Sequence, residues 1–170
     1  HMFYRTAVEL IKTGAIGKVK EWHSWVGTVF TTPDKKFPAG ADPIPPNVDW
    51  NLWCGTAPLI PYKEKEYHPF WWRRYRDYGG GAVGDFGCHI FDPVFCSLAL
   101  TAPVSVRSEG PAPNQWNWSI NSVIRYVYPA TKYTEGPTVP IHWYDGKERP
   151  PKDVQALLGK HPMPDQGSIF

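Results

Sequence analysis

Between Thr32 and Tyr78 the chain carries Pro33, Pro38, Pro43, Pro45, Pro46, Pro58, Pro61 and Pro69, and no helical or strand period survives there. Proline lacks a backbone donor and fixes its own φ, so this stretch suits neither a helix interior nor a central strand. It is also too long for a plain connection between two elements. The segment is therefore predicted to wrap the domain and to line a site, while the regular elements gather on either side of it.

Those flanks can be read from their periodicity. Residues 3–13 place Ala7, Leu10 and Ile11 at helical spacing, with Gly14 as a C-terminal stop. Lys18–Thr31, rich in Val, Trp, Thr and Phe, reads as one long strand. Helix returns over about Ala82–Leu100, with Pro93 inside it as a source of a kink. Pro103–Gly110 and Trp118–Tyr128 are strand-like. The second alternates, with Ile120, Ser122, Ile124, Tyr126 and Tyr128 on one face and Asn121 and Arg125 on the other. Thr138–Tyr144 is a further strand closed by an Asp145-Gly146 turn, Asp153–Leu158 a short helical turn, and Gly167–Phe170 the start of a last strand. Helix, strand, long loop, helix, then several strands predicts an α+β domain: an open, mostly antiparallel sheet with helices packed on one face.

Composition narrows the function classes. Eighteen Lys and Arg against 16 Asp and Glu leave a net charge of +2, and no basic cluster forms on a predicted helix, so nucleic acid is not an expected partner. No apolar run approaches the ~20 residues that span a bilayer, so a membrane is not expected either. A 42% hydrophobic share suffices for one core, and residues 1–170 are read as a single domain. The three cysteines, without CxxC spacing, read as small buried residues in a reduced, cytoplasmic compartment. His1-Met2 reads as a vector remnant ahead of an internal start, with any export signal lying further upstream. Nine Trp among the aromatics invite two readings, core filler or ring-stacking surfaces for sugars.

Chemistry concentrates just after the long loop. In Gly84-Asp85-Phe86-Gly87-Cys88-His89-Ile90-Phe91-Asp92, helical spacing puts Asp85, His89 and Asp92 on one face. An imidazole near neutrality beside a carboxylate is a natural acid–base unit. The plainer readings are a helix-start carboxylate for Asp85 and a hydrogen-bonded buried ring for His89. Asp92, before Pro93, reads as structural, and a metal held by Asp85, His89 and Asp92 is set aside, so no metal is expected. Upstream, Trp72 is placed to stack on a ring and Arg73 to donate to hydroxyls or a carboxylate, with loop packing as the alternative. Tyr67 and His68 are weaker substrate-binding candidates. His23, His142 and His161 read as ordinary strand or surface residues.

Gly79-Gly80-Gly81-Ala82-Val83-Gly84 matches GxGxxG, yet the dinucleotide fingerprint needs an apolar strand before it. The preceding Trp71-Trp72-Arg73-Arg74-Tyr75-Arg76-Asp77-Tyr78 is charged and aromatic. These glycines are instead predicted to allow a tight turn and to bring a helix N-terminus close to a ligand.

The run from Asp77 to Asp92 resembles the signature of the second domain of Gfo/Idh/MocA oxidoreductases. The likeness extends to Ile11–Val19, to Val48-Asp49-Trp50-Asn51-Leu52-Trp53-Cys54-Gly55, and to Trp143-Tyr144-Asp145-Gly146 with Pro150-Pro151. It implies a substrate domain that works beside an N-terminal Rossmann domain binding NAD or NADP. His89 would act as acid/base on a sugar or polyol hydroxyl, and Asp85 would bind substrate or orient His89. Relatives usually add a lysine from a Glu-Lys-Pro motif, which is missing from these 170 residues, as is any Rossmann half. The chain is thus expected to be part of a larger two-domain enzyme and to bind no cofactor by itself. Open sheet edges make a homo-oligomer through the sheet an expectation too. Two rival readings remain: a non-catalytic carbohydrate-binding module, and a redox-assisted glycoside-cleaving enzyme of the same family.

Overall fold

A computed structural model describes residues 2–27 and 36–170. Helix α1 (Met2–Lys12) ends as its glycine dictates. Gly14 takes φ +77°, the Ala15 N–H donates to the Leu10 carbonyl and the Gly14 N–H to the Ile11 carbonyl. That pair of bonds is the Schellman closure, which satisfies carbonyls the helix leaves open. Strand β1 is shorter than the predicted Lys18–Thr31: it covers Trp22–Val26, preceded by an isolated bridge between Val19 and Thr134. Of the rest of the predicted strand, residues 18–21 and 27 lie outside β1, and residues 28–31 lie outside the described residues.

The described part of the proline-rich segment folds around its own aromatic core. Trp50, Cys54, Tyr67 and Tyr75 are buried, with Phe37, Val48, Trp53, Ile60, Tyr62, Trp72 and Tyr78 packed on them. A short helix, α2 (Trp50–Cys54), starts where Asp49 accepts the Leu52 N–H at 3.0 Å. A 3-10 turn over Trp71–Arg74 then leads to helix α3 (Gly81–Leu98). Aromatic rings replace the missing hydrophobic period, because a ring packs on whatever the loop presents.

The remaining strands are β2 (Ser105–Glu109), β3 (Val123–Pro129), β4 (Thr138–Asp145) and β5 (Gln166–Ile169), with the short helix α4 (Lys152–Ala156) before β5. The sheet order is β2-β3-β4-β1-β5. Among the described residues, the β1–β4 pair is parallel and the other three strand pairs are antiparallel. The fold is therefore α+β with an open, mostly antiparallel sheet. Residues 118–122, predicted as the start of β3, lie outside it. Asn121 there has φ +59°, and its side-chain carbonyl accepts the Lys147 N–H, locking it to the turn after β4.

Alternation divides the sheet into two faces. Trp22, Val26, Ile124, Tyr126, Tyr128, Val139, Ile141 and Trp143 meet α1 and α3 through Ile11, Phe91, Val94 and Leu98. Each such side chain removed from water contributes about 1.5–3 kcal/mol. On the opposite face Trp25, Tyr144 and Ile169 pack against Val154 of α4 at one corner. The rest of that face carries a transverse row set by register: His23 of β1 opposite His142 of β4, His142 opposite Arg125 of β3, and Arg125 opposite Arg107 of β2. No helix among the described residues is long and apolar enough to cross a membrane.

Candidate functional site

Helix α3 begins at Gly81, where φ is +65° and an added Cβ would sit 2.8 Å from the Trp118 Cβ. At Gly79 a Cβ would come within 2.6 Å of the Arg73 backbone. The glycines thus let the 3-10 turn, the Trp118 loop and the helix start stack directly on one another. Before them stands the Trp71–Arg74 turn and not a strand, so the GxGxxG run lacks the architecture of a dinucleotide cradle. With Gly79 and Gly81 already filled against protein, these residues do not fit a pyrophosphate.

This junction brings Arg73 onto Asp85. Arg73 Nε donates to Asp85 Oδ1 at 2.9 Å, and Arg73 Nη1 donates to the Phe70 carbonyl at 3.1 Å. The guanidinium also lies 4.6 Å from the Trp72 ring centroid and 5.0 Å from that of Phe70. An arginine fixed at several points holds its planar guanidinium in a set direction. Because the helix starts at Gly81, Asp85 sits beyond the first turn, and the carboxylate is held by Arg73. A cleft of about 440 Å³ opens here, lined by Trp72, Arg73, Arg76, Gly80, Gly84 and Asp85 among others.

His89 follows one turn along α3 and is exposed, with no side-chain partner among the described residues. The structure draws no hydrogen bond between Asp85 and His89. Pro93 has no N–H to offer the His89 carbonyl, so that oxygen loses its helical donor. Asp92 accepts from the Cys96 thiol, and its carbonyl lies 3.5 Å from the Tyr4 hydroxyl of α1.

The other sequence candidates lie apart from this cleft. Tyr67 is 1% exposed, its ring within the aromatic core, and burial pushes its hydroxyl up to about 12. His68 is exposed beside it. Trp22, Trp25, Trp50 and Trp143 are core residues, whereas Trp71 and Trp118 are exposed, under the guanidinium groups of Arg74 and Arg76. Cys54 is buried as expected, but Cys88 and Cys96 are exposed because they fall on the outer side of α3.

A second polar cluster was not legible as a site in the sequence. Among the described residues, Glu21, His23 and His142 bring ligand-type atoms within 4.8 Å of one another, whereas Asp85, His89 and Asp92 form no such group. His23 Nδ1 is 2.9 Å from the Tyr144 hydroxyl, and Arg125 Nη1 is 3.4 Å from His142 Nδ1. Burial lowers the pKa of both rings; His142, near the charges of His23 and Arg125, is pushed down to about 4. The available signal was parity: residues 21 and 23, and 142 and 144, share a strand face, but nothing local says that β1 and β4 pair.

A search of curated proteins finds no match to the chain. Residues 15–157 match the family model described as oxidoreductase family, C-terminal alpha/beta domain, and the chain belongs to the Gfo/Idh/MocA oxidoreductases.

Proposed function

We propose that this domain holds the substrate of an NAD(P)-linked oxidoreductase, a sugar, polyol or related cyclic alcohol, and supplies the acid–base residue of the reaction. The observation that carries the reading is the Arg73–Asp85 pair at the mouth of a cleft, with His89 exposed one turn along the same helix. Removing hydride from a secondary alcohol also requires removal of the hydroxyl proton, so a base with a pKa near the operating pH is favoured. His89, exposed one turn beyond Asp85 on α3, is the side chain proposed to take that proton. Arg73 and Asp85 together offer donors and an acceptor to vicinal hydroxyls, and Trp72, whose ring lies under the Arg73 guanidinium, lines the same cleft.

The nicotinamide supplies the hydride chemistry. The Gly79–Gly84 run does not fit its pyrophosphate, and in this proposal the nicotinamide is presented by a dinucleotide-binding domain outside these residues. The β2 edge, with Val104 and Val106 exposed, is the place for self-association in the same proposal.

The test joins this domain to its dinucleotide-binding partner and measures NAD(P) reduction over a panel of sugars and polyols. A stable keto product supports the dehydrogenase, whereas cleavage of a glycoside without net cofactor turnover replaces it with the redox-assisted hydrolase. Full activity in His89→Ala would remove the acid–base assignment.

A further inference from the structure

We propose that Glu21, His23 and His142 form a binding site for a zinc-class divalent cation, on the sheet face opposite α1 and α3. Two imidazoles and one carboxylate are a recognised donor set for Zn²⁺, with the fourth position left to water or a ligand. Register creates the arrangement: His23 and His142 are direct partners on the parallel β1–β4 pair, and their ring centroids are 4.6 Å apart. Glu21 Oε2 is 3.3 Å from His23 Nε2. Ligand atoms about 2.0–2.1 Å from a tetrahedral ion stand about 3.3–3.5 Å from one another, so this edge of the site is already at the required span. The exposed Glu21 side chain and the half-buried His142 ring have the rotational freedom to close the remainder.

An unsatisfied atom points independently to a missing occupant. His23 is 3% exposed, and its Nε2 has no hydrogen-bond partner, since Glu21 lies off line for one. A buried ring nitrogen left unpaired costs about 1–3 kcal/mol unless something fills the gap. Its other nitrogen meets the Tyr144 hydroxyl, and a donated Nδ1–H there would leave the Nε2 lone pair facing Glu21.

The surrounding charges do not exclude a cation. Arg125 Nη1 lies 3.4 Å from His142 Nδ1 and has to turn toward its partner Glu109, 2.9 Å from its Nε, for that ring to ligate; Lys20 lies 3.9 Å from Glu135, and Asp153 of α4 adds negative charge near His23. Beside Glu21 and His23 a cleft of about 330 Å³, lined also by Lys18, Val154 and Leu157, gives the open coordination position access to solvent.

Metal-stripped protein titrated with Zn²⁺ alone by calorimetry, and with Co²⁺ alone by visible absorption, tests the assignment. The expected result is one equivalent bound per chain at micromolar affinity or tighter, with the ligand-field bands of a four- or five-coordinate Co²⁺ site. Glu21→Gln and His142→Gln should each weaken binding on the order of 100-fold, and Tyr144→Phe, which only orients His23, by about 10–100-fold. His161→Ala should bind as the parent does. Absence of one-to-one binding by the folded parent would overturn the proposal. So would unchanged affinity in Glu21→Gln, whose exposed side chain makes loss of folding no explanation.

Discussion

Arg73 and Asp85 meet at 2.9 Å across the join between the aromatic loop and helix α3. The loop's 3-10 turn is thereby tied to the helix that carries His89. Their side chains are about a quarter exposed, 24% and 27%, so both keep contact with the cleft while bonded to each other. A pair placed this way fixes the loop on the helix, and in the proposed function it also presents polar groups to the substrate.

Asp85→Asn should therefore affect function more than folding. A hydrogen bond to a charged group contributes about 1.5–3 kcal/mol, which corresponds to a roughly 10–100-fold loss in kcat/KM when this domain is assayed with a dinucleotide-binding partner. Partial exposure limits the cost in stability to about 1 kcal/mol or less. Steady-state kinetics and a denaturant melt on the same preparation separate the two effects.

His89→Ala tests the chemistry more directly. Loss of a general base lowers kcat by about 10²–10⁴-fold, and an exposed side chain without partners leaves stability within about 0.5 kcal/mol. The pH profile of kcat should change in the variant. A profile identical to the parent's would assign the proton to another group.

The glycine run gives a contrast between neighbours. Gly81→Ala forces a side chain into φ +65° and against Trp118, and should destabilise the domain by about 1–3 kcal/mol. Gly84 lies within α3 and nothing stands within 4 Å of its missing Cβ, so Gly84→Ala should stabilise by about 0.4–1 kcal/mol. Equal effects in thermal melts would contradict the packing account.

Leu98, fully buried between α3 and the sheet, should cost about 2–5 kcal/mol when cut to alanine. Urea melts with an unchanged m-value are the appropriate check.

Acid should destabilise the sheet through its histidine pair. The folded His142 is held near 4 against an ordinary 6.5, so between those values the unfolded chain takes up the proton and the folded chain does not. Stability is then whole above pH 6.5 and falls as pH drops toward 4, by up to about 1.4 kcal/mol per pH unit for this group. His23, also lowered, acts in the same direction. The slope of stability against pH should flatten in His142→Gln.

Several elements could be read directly because their signals are local. Gly14 ends α1 with the bonds its spacing implies, and Asp145-Gly146 closes β4, with Gly146 at φ +64°. Ile124, Tyr126 and Tyr128 face the helices as their alternation requires. The charged residues before Gly79 correctly argued against a dinucleotide strand. The α2 turn went unread although Asp49 and Gly55 bracket it, because five residues show no period. The inner position of Tyr67 was hidden too, since in a loop without periodicity no pattern separates the face toward the protein from the face toward solvent.

What the sequence determined by itself was most of the elements, the two-faced strands, and a helix bearing Asp85 and His89 behind a glycine turn. These depend on caps, turns and periodicities that act over a few residues. Only the tertiary structure decided that Asp85 pairs with Arg73 and not with His89, and that His23 and His142 stand side by side. Both follow from strand pairing and loop packing, which join residues far apart in the chain through contacts that no short stretch of sequence encodes.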